Sequence, residues 1–141
     1  MTALPPAEAR ARFAAAPVAR LATADPSGLP HLVPVTFALD EGGTLYFAID
    51  TLKPKRTTDL RRLRNIRANP RVALLVDHYA DDWSRLWWVR ADGQAEIEDD
   101  PARRRAPVDL LCAKYPQYAG RPPDGPVVTV RVQRWRGWAA A

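Results

Sequence analysis

PHLVPVTFALDEGGTLYFAID, residues 30–50, is the stretch that decides the fold. HLVPVTFAL (31–39) is an apolar, β-rich run, Asp40-Glu41-Gly42-Gly43 is a turn signal, and TLYFAID (44–50) returns to strand-like alternation. Together they predict a β-hairpin. Just upstream, VARLATA (18–24) reads as another strand, closed by the turn Asp25-Pro26-Ser27-Gly28. Three strands this close, joined by short turns, predict an antiparallel meander. Pro34 takes one ladder donor out of the middle strand, which indicates an edge, a bulge or a place where something else approaches the backbone.

Working outward, residues 6–16 predict a short helix after two prolines. Residues 56–68 place Leu60, Leu63 and Ile66 at helical spacing, with Asn69-Pro70 as the stop. RVALLVDHY (71–79) and LWWVRADGQAEIE (86–98) are strands, the second bent at Asp92-Gly93. Asp100 caps a helix with Pro101 in its first position, running to about Tyr115 and disturbed at Pro107. GRPPDGP (120–126) is a rigid loop before the last strand, VVTVRVQRWRGW (127–138). Six strands with two or three short helices imply a mainly β (α+β) fold. The sheet is a small antiparallel barrel or closed sheet in a single domain spanning 1–141.

Composition narrows the function classes. The 141 residues are 47% hydrophobic and 26% charged, which excludes disorder and fibrous repeats. No apolar run reaches the roughly 18 residues of a membrane-spanning helix, and Glu8, Arg10 and Arg12 interrupt any secretory leader, so a cytoplasmic location is expected. Cys112, with only His31 and His78 for company, can build neither a disulfide nor a zinc site, so no metal is expected. GxGxxG, GxxxxGK[ST], GxSxG and CxxC are all missing, which removes the dinucleotide-fold, P-loop, hydrolase-elbow and dithiol readings.

The net charge of +5 is concentrated. Lys53, Lys55, Arg56, Arg61, Arg62, Arg64, Arg67 and Arg71 face only Asp59, eight cations against one carboxylate, so residues 53–71 carry +7 and the rest of the chain −2. Such an excess implies an anionic partner. The segment TLKPKRTT (51–58) holds two of the chain's three lysines. Cations at a helix start oppose its dipole by about 0.3–1 kcal/mol each. A phosphate would resolve that conflict, received by backbone N–H groups, the Thr57 and Thr58 hydroxyls and the basic side chains. A solvated basic turn is the plainer alternative. Trp83, Trp87, Trp88, Trp135 and Trp138 form a second cluster; Trp87 and Trp88 are adjacent, so one can fill the barrel while the other covers its outside. Core and interface packing accounts for them, or a flat ring stacks on one.

The order of these motifs resembles the pyridoxamine 5′-phosphate oxidase-like split β-barrel family, and within it the small oxidoreductases that use the deazaflavin coenzyme F-420. It runs from the paired strands of 30–50 through a basic strand-to-helix loop, NIRANPRVALLVDHY (65–79) and WWVRADGQAEI (87–97). The resemblance covers about 13–138. It implies an FMN-binding split barrel with six strands, and a homodimer binding FMN or F-420 at the subunit interface. It also implies that Pro34, Val35 and Thr36 lie against the cofactor ring through their backbone. By the same resemblance Lys55, with Lys53, Arg56 and Thr57 beside it, receives the phosphate; a count without gaps back from Asn69-Pro70-Arg71-Val72 puts Arg62 in that place instead, and the two registers stay open. Asn65 matches an asparagine of the relatives' helix, and Asp77, His78 and Trp88 line the cleft.

FMN and F-420 both carry a phosphate, but F-420 adds a tail of several carboxylates, and a +7 stretch exceeds the needs of one phosphate. Arg61, Arg64 or Arg67 could hold the tail, which favours F-420 and hydride transfer to a small conjugated substrate. No residue is assigned a catalytic role; His78 and Tyr79 are the nearest candidate proton donors, and solvent would also serve. The alternatives are an FMN-dependent enzyme of the same fold and a non-catalytic flavin, deazaflavin or nucleic-acid binder. Nucleic acid is disfavoured because the charges gather on one helix rather than along an aromatic strand face.

Overall fold

The computed structural model describes residues 2–49 and 60–140. Eight strand segments form one antiparallel sheet: β1 (Thr2–Ala3), β2 (Ala19–Ala24), β3 (Pro30–Val35), β4 (Ala38–Leu39), β5 (Leu45–Ala48), β6 (Arg71–His78), β7 (Trp87–Glu98) and β8 (Val127–Ala139). Helices are α1 (Pro6–Ala15), α2 (Arg61–Ala68) and α3 (Pro101–Lys114), with single 3₁₀ turns at Trp83–Arg85 and Pro116–Tyr118. The expected split-barrel class is the one observed.

The sheet order is β3-β2-β6-β7-β8-β5-β4, with β1 added alongside β8. Its two ends, β3 and β4, are halves of the single strand expected over 31–39. The expected meander is therefore corrected. The chain does form both hairpins, β2 with β3 and β4 with β5, but it breaks at Thr36-Phe37 and the hairpins sit at opposite ends of the sheet. The sheet must curl for one chain to reach both ends. Tyr115 repairs the break: the Phe37 N–H donates to its hydroxyl (3.0 Å), which in turn lies 2.9 Å from the Pro17 carbonyl and 3.0 Å from the Phe37 carbonyl. A buried phenol thus replaces a missing ladder partner. Pro34 stands in β3, an edge strand, where its missing N–H is tolerated.

The turns follow their residues. Asp25 accepts from the Ser27 and Leu29 N–H groups, and Gly28 takes φ +87°. Asp40 accepts from the Thr44 N–H and the Tyr46 hydroxyl, with Gly43 at φ +87°. The bend expected at Asp92-Gly93 is a bulge in the β7–β8 ladder, and a Cβ on Gly93 would stand 2.4 Å from the Arg131 carbonyl oxygen. Two other expectations change. Residue 107 does not interrupt α3, which runs through the buried Pro107. Leu60 is extended, so α2 starts at Arg61 rather than at residue 56.

The concave side of the sheet holds the core. Leu21, Phe37, Leu45, Phe47, Leu74, Val89 and Val130 are fully or almost fully buried there, joined by Phe13 from α1 and by Leu63 and Ile66 from α2. At roughly 1.5–3 kcal/mol for each large side chain removed from water, this cluster dominates the favourable side of folding. Ala38, Leu111, Tyr115 and Tyr118 make a smaller cluster under α3. No helix among the described residues is long and apolar enough to cross a membrane.

Candidate cofactor site

Strand alternation and register build a groove on the convex face. Antiparallel pairing aligns Pro34, Arg20, Leu75 and Arg90 in one row across β3, β2, β6 and β7, and Leu32, Ala22, Ala73 and Asp92 in the next. Ala22 and Ala73 are too small to fill their places, which leaves a trough between Leu32, Leu75 and Trp88. The groove encloses about 560 Å³ and is also lined by Asp77 and Tyr79. Leu32 is 66% exposed and Tyr79 64%, so the rim of the groove is open to water. Arg20 and Arg90 flank this floor. The Arg90 guanidinium donates through Nε (2.8 Å) and Nη2 (3.1 Å) to the two carboxylate oxygens of Asp92, which fixes it in place.

A second cluster lies where α2 covers the end of the β2–β3 hairpin. Thr23 and Asn65 are the buried polar residues there, and the Asn65 amide donates to the Thr23 hydroxyl at 3.0 Å. Opposite Thr23 in the register is His31. The first turn of α2 holds Arg61 and Arg62 with no acidic residue and no side-chain cap on its N–H groups. Arg62 is half-buried, its Nε is sealed from water without a hydrogen-bond partner, and burial lowers its guanidinium pKa. A half-buried guanidinium with an unpartnered N–H is suited to an anionic acceptor.

The expected site residues therefore separate. Asp77 and Trp88 are cross-strand partners in the groove. His78 faces the other side of β6, where its ring stacks on Trp87 at 6.4 Å between centroids; the structure does not bring it into the groove. Pro34 is exposed on the convex face, whereas the Val35 side chain is buried, leaving only its backbone for a ligand. Thr36 sits at the strand break with its hydroxyl 3.1 Å from that of Tyr118. Arg62 and Asn65 belong to the α2 cluster. Lys53, Lys55, Arg56 and Thr57 lie outside the described residues. Of the tryptophan pair, Trp87 packs against the core and Trp88 faces out. Sequence reasoning missed Arg20, Ala22, Leu32, Ala73, Leu75 and Arg90. The available signal was strand parity combined with alanines at outward positions. Among the described residues no His, Cys, Asp or Glu group gathers to hold a metal.

A curled antiparallel sheet whose end strands are two halves of one segment, with helices over its mouth, defines a split-barrel protein. The pyridoxamine 5′-phosphate oxidase family model matches residues 5–139, and the chain belongs to that family. Solved structures share the fold. A conserved hypothetical protein from Mycobacterium tuberculosis superposes with a TM-score of 0.78 at 22% identity, over 97% of this chain and 86% of the other. An FAD-binding protein from Mesorhizobium loti gives 0.70 at 23% identity, over 96% and 93%. The FAD-binding protein of Mycobacterium smegmatis gives 0.69 at 16%, over 98% and 97%. No curated protein matches the chain significantly.

Proposed function

We propose that this chain is an oxidoreductase that binds the deazaflavin coenzyme F-420 and transfers hydride to a small conjugated organic substrate, working as a homodimer. The observation that carries the reading is an open apolar groove over Ala22 and Ala73, in a chain whose α2 also holds an unpartnered Arg62 Nε. The residues present fit a flat ring that carries a phosphate. When bound, the deazaflavin supplies two-electron hydride chemistry at its ring carbon.

The chain's own part is binding, orientation and exclusion of water. Ala22 and Ala73 give the ring a floor, Leu75 and Trp88 border it, and the free edge of β3 at Pro34, Val35 and Thr36 offers backbone groups to its polar atoms. Arg62 takes the phosphate, and Arg61 and Arg67, exposed on α2, are the cations that would meet a polycarboxylate tail. A second copy laid over Leu32, Tyr79 and Trp88 would dry the site. FMN or FAD is the second reading, and the FAD-binding proteins of the same fold favour it; the +7 stretch favours the polyanionic deazaflavin.

Fluorescence titration of the purified chain with F-420, FMN and FAD tests this, together with light scattering for mass. Saturable F-420 binding by a dimer is expected, with hydride consumption from reduced F-420 once a substrate is found. Arg62→Ala and Lys55→Ala are each expected to weaken binding by about 1.5–3 kcal/mol, the range for a hydrogen bond to a charged group. Binding of FMN or FAD with none of F-420 would move the assignment to the flavin, and no binding of any of the three would overturn it.

A further inference from the structure

His31 has no place in the function just described, yet its surroundings are unusual. It lies on the inward row of β3 with Val33 and Val35, directly opposite Thr23, whose hydroxyl accepts from the Asn65 amide. Its Nδ1 is sealed from water and has no hydrogen-bond partner, and among the described residues the only other buried side-chain nitrogen or oxygen in that condition is the Arg62 Nε. A buried polar atom left unpaired is costly, and native structures seldom keep one without a reason. Here two occur, on α2 and on the β2–β3 hairpin that α2 packs against through Asn65 and Thr23, and one belongs to a cation whose charge acts on His31.

We propose that His31 is a proton-linked ligand for the tetrahedral oxyanion that Arg62 receives, donating from Nδ1 while Arg62 donates from Nε. The inference rests on the cofactor reading for the identity of that oxyanion, a phosphate of the bound ring. A single negatively charged group entering between the two side chains gives both orphaned atoms a partner. Sulfate has the same shape and charge type and serves as the bare probe.

The proton linkage follows from the charges around the imidazole. Arg61 and Arg62 on α2 are the charged groups that act on it; β2 presents Thr23, and no carboxylate among the described residues contributes. Burial first, then Arg61 and Arg62, hold the pKa of His31 below 6.5, so the imidazole is neutral near pH 7 in the empty site. An oxyanion placed against it favours the charged form and raises that pKa. The bound state then holds more protons than the free state between the two midpoints. Affinity rises as pH falls through that window and is flat on either side of it.

The full-length chain is suited to the test because it has only two histidines, His31 and His78. Their ring resonances are followed by NMR against pH, alone and with saturating sulfate, F-420 or FMN; sulfate is useful because its charge is constant from pH 5 to 8.5. The expected result is a His31 midpoint raised by about one unit, with His78 unmoved, and sulfate affinity rising by up to about tenfold per pH unit within the window. His31→Gln keeps a neutral donor and is expected to bind sulfate without that pH dependence, while Arg62→Ala loses sulfate binding. A His31 midpoint unmoved by saturating anion overturns the proposal, even where a cofactor binds. Sulfate that moves His31 in a chain binding no F-420, FMN or FAD supports the oxyanion site and defeats the cofactor reading instead. Absence of all anion binding defeats both.

Discussion

The Phe37 amide donates to the Tyr115 hydroxyl at 3.0 Å, and the same hydroxyl lies 3.0 Å from the Phe37 carbonyl. One phenol from the end of α3 thus holds the point at which a single stretch of chain stops pairing with β2 and starts pairing with β5. Tyr115→Phe removes that hydroxyl with little change of shape and leaves a buried N–H without a partner. A loss of about 1–3 kcal/mol is expected, read as a lower denaturation midpoint with an unchanged slope. A midpoint equal to that of the parent chain would show that the break needs no such support.

Close to Tyr115, the Lys114 ammonium donates to the Ala16 carbonyl at 2.8 Å and lies 3.7 Å from the centre of the Phe37 ring. Burial lowers its pKa to about 8, against an unfolded value of about 10.4. Between those two values the unfolded chain holds more protons, so the contribution of Lys114 to stability rises with pH across the window and its penalty is fully present below pH 8. Reductive ¹³C-methylation labels Lys53, Lys55, Lys114 and the terminal amine, and Lys114→Arg identifies the Lys114 signal among them. The methyl resonance that Lys114→Arg removes is expected to titrate near pH 8. A Lys114 resonance titrating above pH 10 would contradict this.

Gly93 is fixed by close approach. A Cβ there would stand 2.4 Å from the Arg131 carbonyl oxygen, which is backbone and cannot swing away. Gly93→Ala is expected to cost about 2 kcal/mol or more, measured by chemical denaturation. A change within about 0.5 kcal/mol would mean that the bulge relaxes freely.

Much of this fold was legible in the sequence because its turns are local. Asp25 to Gly28 and Asp40 to Gly43 mark hairpins by side-chain chemistry that acts over four residues, and strand parity alone separated Trp87 from Trp88. The break at Thr36-Phe37 was not legible. No glycine marks it, and the tyrosine that repairs it comes from the other end of the chain. The groove was hidden for a similar reason: Ala22 and Ala73 become neighbours only through the β2–β6 register. Arg62 was visible as one arginine in a basic run, but its burial depends on how α2 sits over the hairpin.

The trough itself is open to test. Ala73 points outward, so Ala73→Phe fills the groove without entering the core. Cofactor affinity is expected to fall at least about tenfold, with the melting temperature within about 2 °C of the parent. Undiminished affinity would place the ring elsewhere on the molecule.

A crystal structure of the chain soaked with F-420 addresses the joint role of groove and arginine most directly. The ring is expected over Ala22 and Ala73 and beside Trp88, with a phosphate oxygen within hydrogen-bond distance of the Arg62 Nε. A ring bound away from these alanines, or an Arg62 Nε still unpartnered beneath a fully occupied cofactor, would contradict it.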